Sequence, residues 1–514
     1  MSEGHRFPSS SSHNTIASPS DCPGAAEVPL LDPFSEEVTP CLEGRGSSVV
    51  QSRGEMIVTL MKLAWPQVVA TVLTLIPEVI SLSFVGRLGD DRMIAAVGLG
   101  NLLLNCICVT MSLGLSSGID TLVSQAHGRG DPNLAALYIN RAEITSSLYC
   151  FATLPIAWEA EHILIWLNQD PDIAALSGQY VRGACIGAWP LCMFNCLRKV
   201  LNCHRDLYIN MYAYVLVVCF HPLWCWLFVD RFRYGVAGAG WAIATSWTIS
   251  FVLLLIYVIS PFCNLPKGTI RLPLYKSCWS LRGITRYCHV AFPATIMVAL
   301  DWWSSEIFSM IVGLLRNTAQ LAAHVAAANL YNLMYTFTLG LSSAVGILVG
   351  ISIGKGDVSI ARAGSSCGLL VSVLSGAMIG VILILGSRLI AELYAPGQAS
   401  VHHYLYYIIP IIAVSMLTSS SQAALAGTCK GLGYQKTAAV SNFKGLYLIM
   451  LPLGTFLCLW TSLGVAGAWI ARVCGTLVVS VLLHRKLSAL DWGTIAVNAR
   501  ARMNLDRQDV KTNV

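Results

Sequence analysis

Asp301 and Glu306 stand in a strongly apolar stretch, Leu300-Asp-Trp-Trp-Ser-Ser-Glu306. A charge in a bilayer core is costly, so an acid inside such a stretch reads first as a functional group. Five positions along a helix turn the chain by about 140°, so the two acids cannot share one face. Trp303, three positions before Glu306, does share its face. A carboxylate beside an indole suits an organic cation, by charge and by cation–π attraction. The plainer alternative has Asp301 capping a bend and the tryptophans packing on lipid. Glu78 follows Pro77 in the first apolar stretch, and Gly86 and Arg87 come within about two turns, which leaves an interfacial place open to it. Glu143, close to Arg141, reads as a paired structural charge. His221 and His324 have the chemistry of proton relays, but a lone histidine in an apolar stretch is more often a packing group. No P-loop, GxSxG or HExxH pattern occurs. Transport is then gradient-driven or passive, with no cofactor and no catalytic residue implied.

The elements that hold these residues follow from composition. Of 514 residues, 55% are hydrophobic and 12% charged, and the mean hydropathy is +0.63. A soluble domain carries about 25% charged residues, so the chain reads as an integral membrane protein. Twelve apolar stretches of bridging length run between about 58 and 484. The formal net charge of +6 comes from loop residues and gives no reason to expect nucleic acid. The 18 cysteines fall mostly inside apolar runs, where small residues serve helix packing.

The chain also repeats itself. Residues 112–131, SLGLSSGIDTLVSQAHGRGD, return at 338–357 as TLGLSSAVGILVGISIGKGD, identical at ten of twenty positions. Chance would give roughly one or two. Gly235-Val-Ala-Gly-Ala239 returns as Gly464-Val-Ala-Gly-Ala468, and Pro66 followed by Gly86 returns as Pro293 followed by Gly313. Offsets of 226–229 residues mark a duplicated half. Six spans per half put both halves the same way up, with a cavity shared between them. The expected fold is therefore an all-α polytopic membrane protein of twelve transmembrane helices, in two six-helix bundles related by a parallel internal repeat. Its parts are a disordered tail at 1–54, bundles at 55–260 and 285–484, a basic linker at 261–284, and a polar tail at 485–514. With a cytoplasmic start, thirteen basic residues fall in inside loops and six in outside loops, which places both termini in the cytoplasm.

Within the repeat the halves differ at Asp120, whose counterpart is Gly346. Asp120, near the inner end of span two with Gln125 after it, points to a gate or a helix cap. Gly128-Arg-Gly130 and Gly354-Lys-Gly356 read as paired inner hinges.

Three stretches resemble the multidrug and toxin extrusion (MATE) family, in its animal branch. They are Gly114-Leu-Ser-Ser-Gly-Ile-Asp-Thr-Leu-Val-Ser-Gln125, Asp301-Trp-Trp-Ser-Ser-Glu306 and Lys430-Gly-Leu-Gly-Tyr-Gln-Lys436, and the likeness runs over roughly 55–485. The resemblance implies two bundles forming a V and proton-driven export of organic cations. It implies that Glu306 exchanges a proton for substrate with Asp301 assisting, and that Asn105 lines the cavity of the first half. Two positions depart from the family pattern. Ser419 stands where animal members carry an acid in the tenth span, and Asn329 where they carry a glutamate in the eighth. Glu78 is then available as a replacement charge.

The sequence thus predicts a secondary active exporter of organic cations in exchange for protons, not an enzyme. Its expected partners are a small organic cation, protons and the lipid bilayer, with no nucleic acid. The chain is expected to be a monomer in the plasma membrane. The alternatives are a related carrier of a neutral or anionic metabolite, and a lipid-headgroup flippase of the same superfamily. The few basic residues in the spans, Arg182, Lys444 and Arg472, speak against the flippase.

Overall fold

The computed structural model describes residues 52–270 and 276–511, and regular structure across them is entirely helical. Six long helices come before the linker: α1 (Arg53–Gly86), α2 (Asp91–Arg129), α3 (Pro132–Trp158), α4 in two segments (Pro171–Cys185 and Ala188–Cys203), α5 (Tyr208–Arg231) and α6 (Gly235–Ile259). Six follow it: α7 (Leu281–Gly313), α8 (Thr318–Lys355), α9 (Val358–Leu385), α10 (Ala399–Leu432), α11 (Gln435–Leu459) and α12 (Val465–Ala489). A last helix, α13 (Trp492–Lys511), occupies most of the segment read as a polar tail.

Local chemistry explains where these helices start and bend. Pro132 and Pro171 open α3 and α4, where a missing N–H costs nothing, and the side chains of Asp131 and Asp170 cap them. α1 breaks at Thr74–Leu75, just before Pro77, whereas Pro66, Pro293 and Pro410 lie inside uninterrupted helices. α2 carries a π-helical turn at Asn105–Val109 and α11 one at Phe443–Met450. α8, at 38 residues, is about 57 Å long and outreaches a hydrocarbon core of about 30 Å. Large apolar side chains such as Leu148, Phe151, Leu374 and Met378 are more than half exposed. That surface is tolerable only in lipid.

The duplicated motifs do duplicated jobs. Gly235 and Gly464 adopt φ of 55° and 54°, where a side chain would be strained. Gly238 and Gly467 lie so close to the preceding helix that an added Cβ would sit 2.7 Å from the carbonyl oxygens of Phe228 and Leu457. Each pair sits at an offset of 229, so the α5–α6 and α11–α12 hairpins are built alike.

Candidate functional site

The most connected polar cluster inside the second half is centred on Asp301 of α7. Tyr335 of α8 donates its hydroxyl to Asp301 Oδ2 at 3.0 Å. Gln422 of α10 donates to Asp301 Oδ1 at 3.3 Å and to Asn442 Oδ1 of α11 at 3.4 Å. Asn442 in turn donates to the Met297 carbonyl of α7 at 3.2 Å. The Tyr335 ring stacks on Tyr331, with centroids 5.7 Å apart. The Tyr331 hydroxyl donates to Ser419 at 2.8 Å. The Arg472 guanidinium of α12 lies 4.1 Å over the Tyr331 ring and donates to Ser305 at 3.3 Å. Its Nε finds no acceptor, and no carboxylate lies within 4 Å of it among the described residues. Five helices thus converge on one buried polar hub, which low dielectric makes rigid when satisfied and costly when not.

Glu306 and Trp303 lie apart from that hub. Both are exposed, and Glu306 has no hydrogen bond or ion pair among the described residues. Glu306 is near enough to Cys106 of α2 for its charge to act on that thiol. The carboxylate of Glu306 thus lies within electrostatic reach of the first half. Asn105, next to Cys106, is half-buried in the π turn of α2, where helical geometry loosens. Glu78 is half-buried in the first turn of the second segment of α1, where an acid complements the helix dipole. It acts electrostatically on Tyr180, whose hydroxyl donates to Asn101 at 2.6 Å. Asn329 is exposed on α8, away from the Asp301 hub's hydrogen bonds, whereas Ser419 is buried within the hub. His221 is fully buried and held by Ser81 at 2.9 Å and Ser246 at 2.7 Å. That is packing rather than relay geometry.

The repeated stretch builds a seam between the halves. Asp120 pairs with Lys199 of α4, inside the first half. Gln125 donates to the Gly431 carbonyl of the second half at 2.9 Å. Thr121 donates to the Lys430 carbonyl and accepts from Gln435. The α10–α11 junction at Lys430–Gln435 therefore both accepts from and donates to α2. Gly128 and Gly354 form a reciprocal contact. A Cβ on Gly128 would run into the Ile351 carbonyl oxygen, and one on Gly354 into the Gln125 carbonyl oxygen. Gly130 and Gly356 take left-handed φ of 73° and 89° as they end α2 and α8. The other cross-half glycine approaches, Gly114 to Thr295, Gly118 to Tyr287, Gly340 to Val68 and Gly350 to Ser124, lie in the same parts of these helices.

Sequence reasoning missed what closes this end. Arg141 does not pair with Glu143 as read. It reaches 3.1 Å to Asp506 of α13, with both side chains essentially unexposed. Asp506 also accepts from Arg286 of α7 at 2.7 Å and from Tyr138 of α3 at 2.8 Å. Arg502 donates to Gln125 Oε1 at 2.6 Å, and Arg507 lies 3.2 Å from Asp131. A signal was present. Trp492, Ile495, Ala496, Ala499 and Met503 are all buried, and their spacing is that of one helical stripe.

Twelve long helices in duplicated halves, ten of them apolar and long enough to cross a membrane, with a polar hub and a reciprocal glycine seam, fit a membrane carrier. The sequence profile of the MatE family matches twice, over residues 66–227 and 293–456, with starts 227 residues apart. The chain belongs to the MatE family, whose members are transporters and not enzymes. Protein DETOXIFICATION 16 of Arabidopsis thaliana is 27% identical over 81% of this chain and 84% of its own length. Multidrug and toxin extrusion protein 1 of Homo sapiens is 27% identical over 91% of this chain and 81% of its own. The likeness therefore extends beyond the animal branch. The crystal structure of the eukaryotic MATE transporter AtDTX14 superimposes with a TM-score of 0.81 at 21% identity, covering 88% of this chain and 99% of that one. A MOP superfamily transporter from Pyrococcus furiosus shares the fold with a TM-score of 0.75 at 15% identity, covering 90% and 100% of the two chains.

Proposed function

We propose that this protein extrudes small organic cations in exchange for protons. The supporting observation is Glu306, an exposed carboxylate without a hydrogen bond or ion pair among the described residues, on the same helix face as the exposed Trp303 and within electrostatic reach of the first half. A neutral carboxylic acid attracts no cation and an ionised one does, so proton and substrate compete for one group. Competition at a site that faces each side in turn couples the two fluxes. Membership of the family and the printed names of its plant and human relatives support extrusion of drug-like compounds. In this reading Asp301 is the fixed anionic hub behind the exchange site, and Glu78 and Asn105 line the facing half. The seam at Gly128 and Gly354 is the cytoplasmic gate, both termini lie in the cytoplasm, and a monomer in the plasma membrane suffices. The test is efflux of a fluorescent organic cation from proteoliposomes under an imposed pH gradient. Glu306→Gln is expected to abolish gradient-driven efflux. Full activity in that variant would overturn the mechanism.

A second reading rests on Arg472, a buried cation within van der Waals reach of Tyr331 that makes no direct ion pair among the described residues and feels Asp301 only through space. Such a group favours substrates that carry an anionic group as well. A zwitterion should then compete with the fluorescent cation in the wild type, and lose that advantage in Arg472→Gln.

A further inference from the structure

The seam holds a cavity. Its volume is about 360 Å³, and it is lined by Gly128 and Arg129 of α2, Gly354 and Lys355 of α8, and Arg500 and Asn504 of α13. Three of the six lining residues are cationic and none is acidic. Part of this charge has a structural use. Arg129 and Lys355 end their helices, where cations complement the dipole. Arg500 donates to the Lys355 carbonyl at 3.0 Å, and Arg129 Nη2 to Asn504 Oδ1 at 2.6 Å. That use leaves a remainder. Arg129 Nη1 is buried and has no acceptor among the described residues. Two nearby acids are committed elsewhere: Asp131 caps Leu134 and meets Arg507, and Asp506 holds Arg141 and Arg286. Asp357, at the N-cap position of α9, makes no side-chain cap hydrogen bond and is not among the lining residues.

We propose that this cavity binds a phosphate group, either a free phosphorylated solute or the headgroup of an anionic lipid. Two guanidinium groups and an ammonium match the planar and point-charge donors that phosphate takes. A doubly charged anion also supplies the counter-charge that the lining lacks. The site draws on both halves and on α13, so it is complete only while the halves are closed at this end and α13 is docked. By linkage, a ligand held there stabilises the closed seam in proportion to its occupancy. The inference does not depend on what is transported.

The test is thermal unfolding of the purified full-length protein in neutral detergent, titrated with inorganic phosphate against chloride at constant ionic strength. A parallel arm uses nanodiscs of phosphatidylcholine with or without phosphatidylserine. A saturable rise in Tm with phosphate that is lost in both Lys355→Gln and Arg500→Gln supports a free phosphorylated ligand. A rise seen only with phosphatidylserine, and lost in the same variants, assigns the site to a lipid headgroup. No rise in either arm, or a rise that both variants retain, overturns the proposal. Lys355→Gln keeps the test decisive if Arg500→Gln fails to fold, because the Lys355 side chain has no hydrogen bond or ion pair to lose among the described residues.

Discussion

Asp301 and Glu306 are five residues apart and meet opposite surroundings. Asp301 accepts from Tyr335 and Gln422, while Glu306 accepts from nothing among the described residues. A hydrogen bond to an ionised group is worth about 1.5–3 kcal/mol, so removing one donor should cost about tenfold or more. Tyr335→Phe is expected to lower the rate of cation efflux by that factor while leaving surface delivery intact. Glu306→Gln should lose gradient-driven efflux altogether. An unchanged rate in Tyr335→Phe would make Asp301 a packing acid. The contrast was half legible. Helical periodicity alone separated the faces of the two acids and put Trp303 beside Glu306. It could not choose which face meets protein, because Tyr335, Gln422 and Arg472 come from other helices and nothing local sets the rotation of α7. The same gap hid Ser419, which is buried against the Tyr331 hydroxyl rather than open to solute.

At the scale of elements, α13 ties α2, α3, α7 and α8 together through Arg500, Arg502, Asn504 and Asp506. On the helix, Arg502 and Asp506 flank one edge of the buried apolar stripe, and Arg500 and Asn504 flank the other. Asp506 is the costly member, because Arg141 is wholly buried with it. Removing one partner of a buried pair leaves an uncompensated charge, at about 3–5 kcal/mol. Asp506→Asn should therefore lower the unfolding temperature clearly, and Asp506→Glu should recover part of the loss. A silent Asp506→Asn would mean that Tyr138 and Arg286 hold α13 without the charge. The helix was missed because its average polarity resembles a tail, and only its spacing betrays the stripe. By contrast, the repeated Gly-Val-Ala-Gly-Ala could be read as important before its job was known. Gly238 and Gly467 fill the same tight place against the preceding helix.

The whole molecule is organised by the duplication, which the sequence stated openly as two copies of one twenty-residue stretch. Its mechanical meaning appears only when the copies face each other. α2 and α8 meet backbone to backbone, Gly128 on the Ile351 carbonyl and Gly354 on the Gln125 carbonyl. Gln125 and Thr121 then fasten α2 to the Lys430–Gln435 loop. Two halves that rock need such a contact to form and break without side chains to unpack, and glycine on a carbonyl provides it. Because the contact is reciprocal, damage to either copy should have the same result. Gly128→Val and Gly354→Val each place methyl groups where a backbone oxygen now lies, so neither variant can close this end. Ser124, unexposed in the closed seam where it meets Gly350, provides the reporter as Ser124→Cys. In the otherwise unchanged protein, a membrane-impermeant thiol reagent applied from the α13 side should leave that cysteine unmodified. In either glycine variant it should react, and cation efflux should fall with it. If one variant opened the seam and the other did not, the two copies would not be mechanical equivalents, and the gate would belong to one half alone.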